Sequence, residues 1–135
     1  MAWIDQAFSL KGRRAVVTGG NAGIGETMAL ALGRAGASLL LVARRADALD
    51  AAAGRLRDEG IDGDVLALDL GDTDRLPQVG QAIAARGPVD ILVNAAGVNL
   101  RQPFAEVTPR SWNQQIALHL SAPFFLTQAL APGMA

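Results

Sequence analysis

A chain of 135 residues with a formal charge of −1 has the length of one domain, read here as residues 1–135, and offers no long-range attraction to nucleic acid or an anionic membrane. Half its residues are hydrophobic and 19% are charged, which supports a packed core and argues against wholesale disorder. The absence of cysteine excludes disulfides, thiolate metal sites and cysteine nucleophiles together. The opening Met1-Ala-Trp-Ile-Asp-Gln carries an early acid and no apolar run of the secretory kind. The apolar runs Ser38–Ala43 and Val89–Ala96 are too short to cross a bilayer, so a soluble cytoplasmic protein is expected.

In chain order, Arg14–Thr18 is the first predicted strand, and glycines follow it at once. From Ile24 to Ala35 the residues Ile24, Met28, Ala31, Leu32 and Ala35 repeat as one helical face, which Gly36 ends. Leu39–Val42 is an unbroken aliphatic strand of the kind covered on both faces. A helix over Asp47–Glu59 leads through the turn Gly60–Gly63 to a third strand, Val65–Leu68. Asp72 is the expected N-cap of a helix running to Arg86, and Gly87-Pro88 closes it before the fourth strand, Val89–Ala95. Thr108-Pro109 opens the last helix as N-cap and first-turn proline, and Pro123 should kink or divide that helix. Strands alternating with helices of this length predict an α/β, doubly wound Rossmann-type parallel sheet, in the order 3-2-1-4.

The chemical signal begins at Thr18-Gly19-Gly20-Asn21-Ala22-Gly23-Ile24-Gly25, between strand and helix. A dinucleotide pyrophosphate needs backbone N–H groups at a helix N-terminus, where unpaired donors and the helix dipole both favour negative charge. Gly19, Gly23 and Gly25 suit the turn, the close approach and helix–strand packing. A bare turn between strand and helix is the alternative.

This Thr-Gly-x-x-x-Gly-Ile-Gly spacing resembles the signature of the short-chain dehydrogenases/reductases, and the rest of the chain follows that family in order. Asp69-Leu70 is similar to its adenine-contacting pair, Asn94-Ala95-Ala96-Gly97 to its strand-four motif, and Trp112–Leu126 with Ala122-Pro123-Phe124 to its fifth helix. Two further stretches, Phe8–Gly12 and Gly97–Phe104, look like sugar-acid and polyol members such as gluconate dehydrogenases.

The resemblance implies a nicotinamide dinucleotide. A carboxylate at the tip of strand two would favour NAD, but the strand exits through Arg44-Arg45 and the first acid is Asp47. A guanidinium offers a donor fork matched to a phosphate dianion, so NADP(H) is expected over NAD(H), with Arg44 the main 2′-phosphate contact. Solvated loop charges are the alternative for Arg44 and Arg45. Asp69 can accept from the adenine amino group, or it caps its own turn. Asn94 sits where strands one and four diverge, and either borders the ribose or ties the two strands together.

The family transfers hydride with a Ser and a Tyr-x-x-x-Lys, aided by an Asn on its fifth helix. This sequence has no tyrosine, and its single lysine, Lys11, precedes strand one. No residue is therefore assigned as catalytic. His119 occupies the position of the helix Asn, where it is either a packing residue or a proton carrier. No metal cluster is expected either.

Read this way, the chain is a domain shortened after four strands and inactive alone. The apolar strand-four edge, Val89–Ala95, and the last helix, Thr108–Leu130, then predict self-association. Three readings remain open: a partial oxidoreductase, a non-enzymatic dinucleotide-binding module, or one half of a two-chain dehydrogenase.

Overall fold

The computed structural model describes residues 2–135. A short helix α1 (Trp3–Ala7) precedes β1 (Arg14–Thr18), α2 (Gly23–Arg34), β2 (Ser38–Ala43), α3 (Ala46–Asp58) and β3 (Gly63–Ala67). Then come α4 (Leu76–Ala85), β4 (Ile91–Asn94), α5 (Pro109–Ile116) and α6 (Ala122–Met134). The four strands form one parallel sheet in the order β3-β2-β1-β4, as the strand–helix alternation predicts. Ala15 pairs with Leu39 on one side and with Ile91 on the other, so β1 is central and β3 and β4 are the edges.

The twofold alternation of strand side chains divides the core between the sheet's two faces. Ala15, Val17, Leu39 and Leu41 pack with Ala29 of α2 and with Leu49, Ala52 and Leu56 of α3. Val16, Leu40 and Val42 pack on the opposite face with Leu76, Val79 and Ile83 of α4 and with Ala122, Leu126 and Leu130 of α6. Each fully buried aliphatic side chain contributes about 1.5–3 kcal/mol of transfer free energy. β1 and β2, sealed on both faces, form the centre of this core.

α2 buries a different face from the one its apolar stripe indicates. Ile24 is 78% exposed and Met28 and Ala31 also face solvent, while Gly25, Ala29 and Gly33 are buried. The reason is space, because a Cβ on Gly25 would stand 2.3 Å from the Gly19 carbonyl oxygen and one on Gly33 2.5 Å from Ile61. Small residues at i, i+4 and i+8 let this helix approach the glycine turn, the core and the loop before β3 more closely than a leucine face would. The end of α2 is as expected: Gly36 has φ +110°, its N–H reaches the Gly33 carbonyl, and Ala37 N–H reaches that of Leu32, a Schellman closure.

Other boundaries move for local reasons. β3 starts two residues early, at Gly63, and ends at Ala67, so Asp69-Leu70 lies beyond the strand in the following turn. Asp72 makes no side-chain cap; a 3₁₀ turn, Thr73–Arg75, comes before α4. β4 is confined to Ile91–Asn94, with Val89 buried ahead of it. Thr108 does cap α5, in a reciprocal capping box with Ser111, which absorbs a serine otherwise without a role. Pro123 does not break the last helix: the five-residue π-helical turn Ala117–Ser121 widens the backbone ahead of it and joins α5 to α6. Among the described residues no helix is long and apolar enough to cross a membrane.

Candidate functional site

β1 hydrogen-bonds to β2 on one side and β4 on the other, so the chain leaves β1 at the point where the sheet's connections diverge. The glycine-rich turn occupies that point and leads straight into α2. Gly19 has φ +67°, and a Cβ there would stand 2.8 Å from the Ala95 carbonyl oxygen. Gly25 is equally constrained, since its Cβ would meet the Gly19 carbonyl at 2.3 Å. Gly25 thus packs against the turn itself. Gly23, the first residue of α2, differs: its φ of +56° needs glycine, yet nothing lies within 4 Å of where its Cβ would be. The N-terminus of α2 therefore presents its free N–H groups to open space, a cradle that suits a phosphate. Ala22 is the N-cap and offers no side chain that would satisfy those donors. Gly20 is also closely packed, since a Cβ there would stand 2.8 Å from the end of the Leu41 side chain and 3.1 Å from the Val17 carbonyl oxygen.

Thr18 is the hinge of the site. Its buried hydroxyl accepts from the N–H groups of both Ala95 and Ala96, at 3.2 Å each, and donates to the Val93 carbonyl at 3.4 Å. This hydroxyl is a side-chain link between strands one and four, one of the two roles the sequence left open for Asn94. The Asn94 amide instead donates to Thr127 Oγ1 on α6 at 3.5 Å. Thr18 stands opposite Asn94 in the register, and its short side chain bridges the two strands.

A cavity of about 200 Å³ opens beside the turn, walled by Gly19, Asn21, Arg44, Leu70, Ala96 and Gly97 among others. Elements far apart in sequence thus meet at one place. Arg45 borders it too, but its guanidinium donates to Asp47 at 2.9 Å, which holds the Asp47 carboxyl below the usual carboxylate range and raises the arginine. Arg44 makes no ion pair among the described residues and faces solvent at the cavity rim. Asp69 closes its own turn, accepting from Gly71 N–H at 2.8 Å, while Leu70 is buried in the core under the cavity.

Val98 and Leu118, which the sequence did not single out, also wall this cavity. His119 lies behind it. Its Nε2 is 2.7 Å from the Val98 carbonyl oxygen, and a Cβ on Gly97 would stand 2.5 Å from the ring. The imidazole therefore braces the segment after β4 against the π-helical turn. A glycine followed by a ring-bearing residue some twenty positions on is a spatial pairing with no local sequence signal.

Residues 13–135 match the short chain dehydrogenase family model. The chain belongs to that family. It is similar to gluconate 5-dehydrogenase of Gluconobacter oxydans, with 39% identity over 128 residues, covering 94% of this chain and 50% of that protein. L-xylulose reductase of Mesocricetus auratus is 40% identical over 127 residues, covering 94% of this chain and 49% of its own length. Among solved structures, the 3-oxoacyl (acyl-carrier-protein) reductase of Agrobacterium tumefaciens with NADP bound superposes with a TM-score of 0.90 at 30% identity, covering 97% of this chain and 51% of that one. The chain spans about half the length of the relatives it matches.

Proposed function

We propose that this chain is the NADP(H)-binding domain of a short-chain dehydrogenase, and that its 135 residues bind the dinucleotide without transferring hydride by themselves. One observation carries the reading: a single cavity gathers the glycine turn, the unpaired Arg44 and the Ala96-Gly97 segment. The N–H groups from Asn21 and Ala22 through Gly23, Ile24 and Gly25 hold the pyrophosphate, where donors and dipole act together. Arg44 takes the adenosine 2′-phosphate. Arg45, tethered to Asp47, adds positive potential beside it. Leu70 and Asp69 border the adenine, and Asn94 to Gly97, fixed by the Thr18 hydroxyl, border the nicotinamide side. His119 is a positioning residue that holds the Gly97-Val98 wall.

Bound NADP(H) supplies or accepts the hydride. The chain's contribution is to orient it, since no tyrosine is present to act as acid or base and Lys11 lies before β1. The kinship with gluconate 5-dehydrogenase and L-xylulose reductase supports a sugar-acid or polyol substrate for the whole protein. We also propose self-association through the β4 edge and the last helix, which the exposure of Leu120 and Phe124 favours.

Isothermal titration calorimetry of the wild type and Arg44→Ala with NADPH and NADH tests the cofactor assignment. NADPH should bind the wild type at least about tenfold more tightly than NADH, and Arg44→Ala should remove most of that difference, the scale of one or two charge-assisted hydrogen bonds. Equal affinities in the wild type would overturn the assignment. NADPH absorbance should also stay constant when a keto-sugar acid is added.

A further inference from the structure

A second cavity, of about 440 Å³, continues from the first beyond Arg44. The two share Arg44 and Leu118, so they form one groove running from the glycine turn to the start of α5. The walls of the second are largely polar: Arg44 after the end of β2, Asp69 from the turn after β3, and Arg110, Asn113 and Gln114 from α5.

Its charge is unbalanced. Two arginines and one aspartate line it, and the aspartate's carboxylate already accepts from Gly71 N–H at 2.8 Å. Arg44 and Arg110 form no ion pair among the described residues, as is also true of Arg14, Arg57, Arg75 and Arg101, but of these six only Arg44 and Arg110 line this groove.

The position of Arg110 is also unfavourable for the helix that carries it. It is the second residue of α5, immediately after Pro109, where the N-terminal end of the dipole repels a cation. Its backbone is nonetheless held in place. The Thr108 hydroxyl accepts from Ser111 N–H at 3.1 Å, and Ser111 Oγ accepts from Thr108 N–H at 3.0 Å, so the first turn of α5 is pinned on both sides of it. A cation on a pinned backbone, lining the same polar groove as a second one, matches an anion of more than one charge.

We infer that Arg110 is a second cation for the adenosine 2′-phosphate, reaching it from α5 while Arg44 reaches it from the end of β2. This rests on the NADP(H) reading of the site and adds a specificity residue to it. Two guanidinium groups on separate elements divide the charge of a phosphate dianion and make its recognition depend on how the last helix is placed.

The test is calorimetric titration of wild type, Arg44→Ala, Arg110→Ala, Arg110→Lys and the double alanine variant with NADPH and with NADH. Arg110→Ala should weaken NADPH about tenfold and change NADH by less than about twofold. Arg110→Lys should recover part of the loss, because a point charge remains without the donor fork. The double variant should bind both dinucleotides alike. An unchanged NADPH affinity in Arg110→Ala, or equal losses for NADPH and NADH, overturns the inference while the effect of Arg44→Ala leaves the NADP(H) reading standing. Equal binding of the two dinucleotides by the wild type overturns that reading first, and is seen before any variant is made. Should Arg110→Ala melt at a lower temperature, Arg110→Gln, which keeps the length and hydrogen-bonding capacity, supplies the same comparison.

Discussion

The two edges of the sheet are built in different ways. β3 carries Gly63 and Asp64, and Arg86 from the end of α4 lies over it, donating from Nη1 to Asp64 at 2.7 Å and to the Val65 carbonyl at 2.9 Å. Charge on the strand and a guanidinium on its backbone are what discourage a further strand from joining. β4 has Ile91, Leu92 and Val93, no charged residue, and only half-buried side chains. Its composition is that of β2, whose Leu40 and Leu41 are 0% exposed. One edge is finished by its own chain; the other has the chemistry of an interior strand.

That contrast can be broken most directly by truncating the same side chain on three strands. Leu40, Leu66 and Leu92 all contact the core on one face of the sheet. Leu40→Ala should cost about 2–5 kcal/mol, because the cavity it leaves is sealed on all sides. Leu66→Ala and Leu92→Ala should each cost about half of that or less, since both side chains are already part-exposed. Urea denaturation at several protein concentrations provides the measurement. A Leu92→Ala loss that equals Leu40→Ala and grows with concentration would mean that β4 is covered in solution, as proposed self-association requires. A concentration-independent loss would count against that association.

A smaller effect is expected where β4 is attached. Thr18→Val preserves shape and removes the hydroxyl that accepts from Ala95 and Ala96 N–H. Two backbone donors at a part-buried site lose their partner, so the cost should be about 1–3 kcal/mol. NADPH affinity should fall as well, because the Ala96-Gly97 wall depends on that bond. Calorimetry separates the two consequences: unchanged affinity with lowered stability would show that the wall is held by His119 alone.

The fold was legible because it rests on periodicity and punctuation. Leu39–Val42 had no polar residue to place outward, and Gly36, Gly87 and Thr108 marked ends that the backbone respects. What misled was α2, where the larger apolar residues formed a stripe but close packing on the glycine turn, the core and Ile61 required Gly25, Ala29 and Gly33. Hydrophobic spacing records which residues avoid water and not how near two elements must come. In the site, the turn and the arginines after β2 were local patterns and could be read. Val98, Leu118 and Arg110 were not, since they join the groove only through the crossing of the last helix over the segment after β4. The Gly97–His119 contact depends on a π-helical turn ahead of Pro123, whose register a helical repeat does not reveal.

The finished edge offers the smallest and most conditional effect. The Asp64 carboxyl is held below its ordinary value of 3.8, first by the Val65 N–H and then by Arg86. A carboxylate with a lowered folded-state pKa stabilises fully above its unfolded value and loses that contribution as pH falls through the folded one. Asp64→Asn keeps an oxygen for Val65 N–H and removes the charge together with the oxygen that accepts from Arg86. Because the side chain is 59% exposed, the difference at pH 7 should be only a few tenths of a kcal/mol. It should be constant down to about pH 4, vanish below the folded-state pKa, and shrink in high salt, as denaturation curves across pH will show. If Asp64→Asn made no difference at any pH, Arg86 would be holding the edge through the Val65 carbonyl and not through charge.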